Sequence, residues 1–199
     1  MRRVGPLAVG LLLLLSRPSI GAERQLRPFV AVTFKGTTTF IDFENAVGSP
    51  NPVLGVGAVL IGNIVGVEVD VGWAPGLFQS GGQHLVVDSG ATTVTGNVIV
   101  AAPRRLTEYT LRPYVVAGAG VMHVSADDVF GVFRVRSSLA AYDVGGGAVG
   151  FLTNRIGVAW DVRRFGTLKA AKVAPGLSNP VGVGRLAFWR ASMALVVRY

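Results

Sequence analysis

Between Tyr142 and Phe165 the chain reads YDVGGGAVGFLTNRIGVAWDVRRF, two arms folded back on each other over Thr153-Asn154. In the second arm Ile156, Val158, Trp160 and Val162 form one set, and Gly157, Ala159, Asp161 and Arg163 fall between them. A period of two places these sets on opposite faces of a strand. One face is apolar throughout and the other is small or charged. In water the apolar face would be the core. In a bilayer the assignment inverts: apolar side chains meet lipid, and small and charged ones fill a barrel.

The N-terminus decides between the two. MRRVGPLAVGLLLLLSRPSIGA has a basic start (Arg2, Arg3), an apolar run from Val4 to Leu15 and small residues up to Ala22. That is the three-part pattern of a secretory signal peptide, expected to span residues 1–22. Its apolar run of 12 residues is shorter than the roughly 20 a spanning helix needs. The chain has no cysteine, so a lipid-anchored signal and a disulfide framework are both excluded. Residues 23–199 remain as one domain, with 16 Lys plus Arg against 11 Asp plus Glu, a net charge of +5. The basic residues are scattered and not interleaved with aromatics, so no nucleic-acid partner is expected. Half the residues are apolar, yet past the signal no stretch approaches the 18 consecutive apolar positions of a transmembrane helix. The 27 glycines mostly alternate with apolar residues, which suits strands better than helices.

Taken in order, Pro28–Lys35 is the first strand and Pro52–Ile61 the second, with a tight turn at Gly62-Asn63. Ile64–Trp73 returns with Val65, Val67, Val69, Val71 and Trp73 on one face and Gly66, Glu68, Asp70 and Gly72 on the other. Two acids in a water-soluble core would be costly; a lipid-facing valine stripe removes the conflict. Thr92–Ala102, Leu111–His123, the two arms of the quoted hairpin and Arg185–Tyr199 complete eight strands. Short connections are expected near 62–63, 103–110 and 153–154, and long ones near 36–51, 74–91, 124–140 and 166–184. Outer-membrane barrels have an even strand count, short periplasmic turns and longer external loops. The expected fold is therefore all-β, an eight-stranded antiparallel up-and-down transmembrane barrel. A soluble eight-stranded periplasmic binding barrel is the alternative architecture.

The segments Arg112–Val121 (RPYVVAGAGV) and Asp143–Phe165, with a last strand ending in Tyr199, resemble the small outer-membrane β-barrel family: the OmpA transmembrane domain and the OmpX- and OmpW-like barrels of the porin family. The resemblance implies an outer-membrane location and a C-terminal strand recognised by the barrel-assembly machinery. Here Tyr199, Val197 and Leu195 would form that signal, continued by Met193, Ala191 and Trp189. The motifs specify architecture rather than activity.

The alternation turns Glu68, Asp70, Asp143 and Asp161 inward, together with Arg163, Arg190 and Arg198, and Arg112 if Tyr114 faces in. An eight-stranded barrel is just wide enough for side chains to fill it, so these charges are expected to form a structural polar network; a narrow ion path is the alternative. Gly145-Gly146-Gly147 is not followed by Lys-Ser/Thr and is no phosphate loop; it would let large neighbours cross the lumen. His123-Val124-Ser125 is similar to the His-x-Ser element of PagL-type lipid A deacylases, with Asp127, Asp128 or Asp143 to orient the imidazole. In that family the element lies one hairpin later, and a rim histidine is expected instead. His84 and His123 lack metal-ligand spacing. Trp73, Tyr142 and Trp189 are expected in an external aromatic belt, and Tyr109, Phe151 and Tyr199 in a periplasmic one. Lys35, Lys169, Lys172 and Arg185 cluster toward the outer rim, where they would either contact anionic headgroups or form a solvated rim. No catalytic site, cofactor or metal is expected. The expected partners are outer-membrane lipid and lipopolysaccharide, and the expected state is monomeric.

Overall fold

A computed structural model of the chain describes residues 22–38, 50–75, 86–104, 111–128, 134–168 and 186–199. The expected signal segment lies outside the described residues apart from Ala22, as do His84, Tyr109, Lys169, Lys172 and Arg185. Eight strands follow one another: β1 (Glu23–Thr38), β2 (Asn51–Ile61), β3 (Val65–Pro75), β4 (Val86–Ala101), β5 (Arg112–Asp128), β6 (Arg134–Phe151), β7 (Ile156–Thr167) and β8 (Leu186–Arg198). Each pairs antiparallel with the next, and β1 pairs with β8, so the sheet closes into the expected barrel. Closure leaves no strand edge unpaired, which a bilayer requires.

The quoted hairpin turns where the sequence places it. Leu152 N and Thr153 N donate to Ile156 O at 2.9 and 3.0 Å, and Thr153 Oγ1 accepts from Ile156 N at 2.9 Å. A shorter turn closes β2 on β3 through Gly62 N to Val65 O at 2.9 Å. Three expectations need correction. β4 begins at Val86 rather than Thr92, inside the loop expected over 74–91. β1 begins at Glu23 rather than Pro28; Pro28 lacks an N–H, and the β1–β8 ladder is unbridged at Arg27 and Pro28, but the strand runs through. The loop expected over 124–140 is mostly strand. β5 continues to Asp128 and β6 starts at Arg134, with His123 opposite Ser138 and Asp127 opposite Arg134.

The faces sort as the inverted reading requires. Val65, Val67, Val98 and Val115 are exposed on the outer wall, while Glu68 and Asp70 are buried. On β7 alone Val162 is 42% exposed and its neighbour Arg163 2%. Higher up, the polarity reverses. The row Trp73, Thr92, His123 and Ser138 crosses β3 to β6 in register, and beside it the outer face turns to hydroxyl and imidazole. The inner face at that level becomes apolar: Ala91, Met122, Val124, Leu139 and Ala141 are all buried. A wall standing in water needs its greasy side inward, and one in lipid needs it outward. Among the residues whose side chains are described, Ser125 and Ser138 lie on the outer face of these strands, beyond the apolar band, which is why this stretch reads as a loop.

Candidate functional site

The middle of the lumen is built around Arg163 of β7. Its Nη1 donates to Glu68 Oε2 at 2.6 Å, and its Nη2 donates to Glu68 Oε1 at 3.2 Å and to Asp161 Oδ2 at 2.8 Å. Asp143 and Asp70 lie 3.6 and 3.9 Å away. Arg190 of β8 forks onto Asp70 with bonds of 2.9 and 2.8 Å, the bidentate geometry guanidinium favours. Asn97 donates to Glu68 (3.1 Å), and Tyr114 and Ser192 donate to Asp161 (3.0 and 2.7 Å), whereas neither oxygen of the buried Asp143 has a hydrogen-bond partner and its nearest cation is Arg163 at 3.6 Å. Tyr114 therefore faces in, and Arg112 with it. Buried charges persist when paired and hydrogen-bonded in this way.

The glycines opposite make the crossing possible. A Cβ on Gly145 would lie 2.9 Å from Arg163 Cγ, and one on Gly147 would lie 2.6 Å from Asp161 Cβ. Gly145 and Gly147 are thus the bed on which these two side chains lie.

Three inward residues that the sequence reading passed over complete the network, all at the start of β1. Arg27 donates to Gln25 Oε1 at 2.9 and 2.6 Å, stacks 5.3 Å over the Tyr114 ring and lies 3.9 Å from Glu68. Glu23 receives Arg104 at 2.6 Å, Gln25 at 2.6 Å and Arg198 of the last strand. That carboxylate ties the first strand, the last strand and the β4–β5 turn together. Strict alternation from Pro28 downward would have found them, since 27, 25 and 23 share the face of Phe29. Arg112 does not meet an acid; it donates to the turn carbonyls of Ala102, Gly62 and Asn63 at 2.8, 3.4 and 2.8 Å. Phe151 is inward, under Arg198 at 3.7 Å, rather than in a periplasmic belt.

Above the ionic layer the lumen is closed by rings. Arg190 lies 4.6 Å from both the Phe29 and Phe165 centroids, and Phe165 stacks on Phe188 at 5.3 Å. Phe165, Leu186, Met122 and Leu139 are 3% exposed or less. Among the described residues, an ion entering from outside would have to cross this apolar layer before reaching Glu68, Asp70, Asp143 or Asp161. Planar-bilayer recordings should show no conductance steps for the wild type and none for Asp161→Ala; discrete steps that Asp161→Ala abolishes would restore the ion-path reading.

The His-x-Ser pair is on the outer wall. His123 Nδ1 is 2.9 Å from Ser138 Oγ, whereas Ser125 Oγ donates to Gly90 O at 3.4 Å. Asp143 faces the lumen, on the far side of the wall from His123, and cannot orient the imidazole. The side chains of Asp127 and Asp128 lie outside the described ones. Among the described residues no group of His, Asp or Glu is arranged to hold a metal. Tyr199, Val197 and Leu195 all project outward.

Closed topology, an apolar outer wall and an ionic interior define an eight-stranded β-barrel of the outer-membrane type. Solved structures share this fold. Neisserial surface protein A aligns with a TM-score of 0.60 and 15% identity, over 90% of this chain and 99% of that one. The N-terminal β-barrel domain of Pseudomonas aeruginosa OprF aligns at 0.52 and 15%, over 89% and 97%. The attachment invasion locus protein Ail of Yersinia pestis aligns at 0.50 and 14%, over 88% and 99%. At these identities the likeness is one of fold. No protein-family model and no curated protein matches the sequence.

Proposed function

We propose that this chain is an outer-membrane barrel that acts through its external end, as a structural or loop-presenting surface protein, without conduction or catalysis. The observation that carries this reading is the packed lumen of the described residues, filled by the ion pairs around Arg163 and covered by the Phe165–Phe188 rings, which points to the surface as the part that acts. Outer-membrane lipid and lipopolysaccharide would surround the valine wall, and residues 1–22 would direct export. The outward set Tyr199, Val197 and Leu195 supports recognition of the last strand by the assembly machinery.

Electrophoresis of the outer-membrane fraction, unheated against boiled, tests the reading. The unheated band should migrate apart from the boiled one, as an SDS-resistant closed barrel does, and Tyr199→Ala should lower the amount of that band in cells. A protein that stays in the soluble periplasmic fraction without a mobility shift would overturn it in favour of the soluble binding barrel. Release of fatty acid from lipid A by the purified protein, lost in Ser125→Ala, would make it an enzyme instead.

A further inference from the structure

On the outer wall, three residues in consecutive strands stand in one row: Phe34 of β1 opposite Trp189 of β8, and Trp189 opposite Arg164 of β7. Phe34 and Trp189 stack with centroids 6.5 Å apart and an interplanar angle of 19°. The Arg164 guanidinium carbon lies 5.8 Å from the Trp189 ring centre. Below this row the outward residues of β7 are Ile156, Val158, Trp160 and Val162, and those of β8 are Ala191, Met193, Leu195 and Val197. Arg164 is thus the first charge met on this face on the way up. It is eight residues above Ile156, about 20 Å of vertical rise for a strand tilted near 40°, close to the upper edge of an apolar band about 25 Å tall. Among the described residues no carboxylate pairs with it.

A second observation falls on the same corner. Between Phe34 and Thr37 the β1–β8 register shifts, so that Lys35 and Gly36 stand opposite one residue of β8. Lys35 sits in the left-handed region (φ 48°), and no other non-glycine residue does so among those described. Glycine would take that conformation without the steric cost of a Cβ, and a bulge re-aims the side chain it carries. The chain holds an exposed lysine there against its backbone preference, next to the ring that stacks on Trp189. Such an outlier is the kind of strain that marks a site.

We infer that Arg164 and Lys35, backed by Trp189 and Phe34, form a site for a phosphate-bearing lipid headgroup of the external leaflet. The aromatic stack supplies a surface for the upper acyl chains, with the guanidinium beside the Trp189 ring. The guanidinium edge then offers paired N–H donors to a phosphate, and Lys35 adds a second positive charge. This rests on the barrel standing in a membrane, as proposed above, and names what its outer rim would hold there.

The test is thermal. The full barrel is reconstituted in phosphatidylcholine vesicles alone, or with a minor fraction of bis-phosphorylated lipid A or of the same lipid dephosphorylated, and the midpoint of the heat-induced mobility shift is read. The phosphorylated lipid should raise the wild-type midpoint by on the order of 5 °C and the dephosphorylated lipid should not. Arg164→Gln and Lys35→Gly should each lose most of the rise. In pure phosphatidylcholine Lys35→Gly should be at least as stable as wild type, which separates binding from folding. An equal rise in both variants, or an equal rise with dephosphorylated lipid, overturns the assignment. So does a rise produced by inorganic phosphate alone, which would make the site one for free anions. A chain with no heat-dependent mobility shift in any vesicle would instead refute the membrane-barrel reading itself.

Discussion

Arg163→Ala is expected to lower barrel stability by about 3–5 kcal/mol, the usual consequence of removing one partner from a buried ion pair. The loss is large because one side chain serves several acids at once. Glu68 would lose both of its guanidinium bonds, Asp161 one of its three partners, and Asp143 the cation nearest to it. Arg163 is 2% exposed, and the rings around Phe165 close the external approach, so water cannot readily take its place. Urea unfolding from lipid vesicles, followed by tryptophan emission, measures the effect. Trp73 and Trp160 are exposed on the outer wall and Trp189 lies half-buried on the same face, so emission reports departure from the bilayer. In an Arg163→Met background, Glu68→Gln should recover part of the loss, because it removes a stranded charge instead of adding one. A wild-type midpoint for Arg163→Ala would mean that the acids already reach solvent and that the lumen is not sealed.

The second large effect is expected from a residue with no side chain. Gly147→Val should destabilise the barrel by about 2–3 kcal/mol or prevent its assembly, because overpacking a filled interior forces the neighbours off their rotamers. The new Cβ would fall 2.6 Å from Asp161 Cβ and against the Trp160 carbonyl oxygen. Displacing Asp161 would loosen its bonds to Arg163, Tyr114 and Ser192 together. Gly96→Ala is the matched control: it faces outward, and a Cβ there meets nothing within 4 Å. It should be neutral or stabilise by a few tenths of a kcal/mol, since glycine is the poorer strand residue. Both midpoints come from the same urea series. Equal losses at 147 and 96 would show that strand glycines matter here for chain flexibility rather than for the space they leave to Arg163 and Asp161.

Much of this was legible from side-chain period alone. The Val65–Trp73 and Ile156–Arg163 alternations assign inside and outside without ambiguity, and closing eight such strands follows from the need to leave no edge. Alternation also named Glu68, Asp70, Asp143, Asp161, Arg163 and Arg190 as one inward set. It could not say which acid meets which base, because those pairings span up to 120 residues and depend on the barrel's stagger. Pro28 hid Glu23, Gln25 and Arg27, because proline reads as a strand boundary when in fact only one of its two ladders is interrupted. At Met122–Ser125 and Ser138–Ala141 the rule holds, but its sign changes with the solvent. Arg112 was assigned to the charge balance, yet it serves backbone carbonyls, which composition does not register.

The reversal of polarity along β4, β5 and β6 has a consequence for where the molecule can sit. Sliding it downward by one residue pair would carry His123, Thr92 and Ser138 toward hydrocarbon, and sliding it upward would lift Val121 and Val144 into water. The Glu23 clasp fixes the other end near the opposite surface. Between them the wall is a gauge of fixed length, eight residue steps from Val65 to Trp73, or about 20 Å when tilted. A helix can lean to suit a thicker bilayer, but a closed barrel has its strand tilt set by its stagger and cannot. The membrane must thin to meet it, and a barrel so built belongs where the bilayer is already thin.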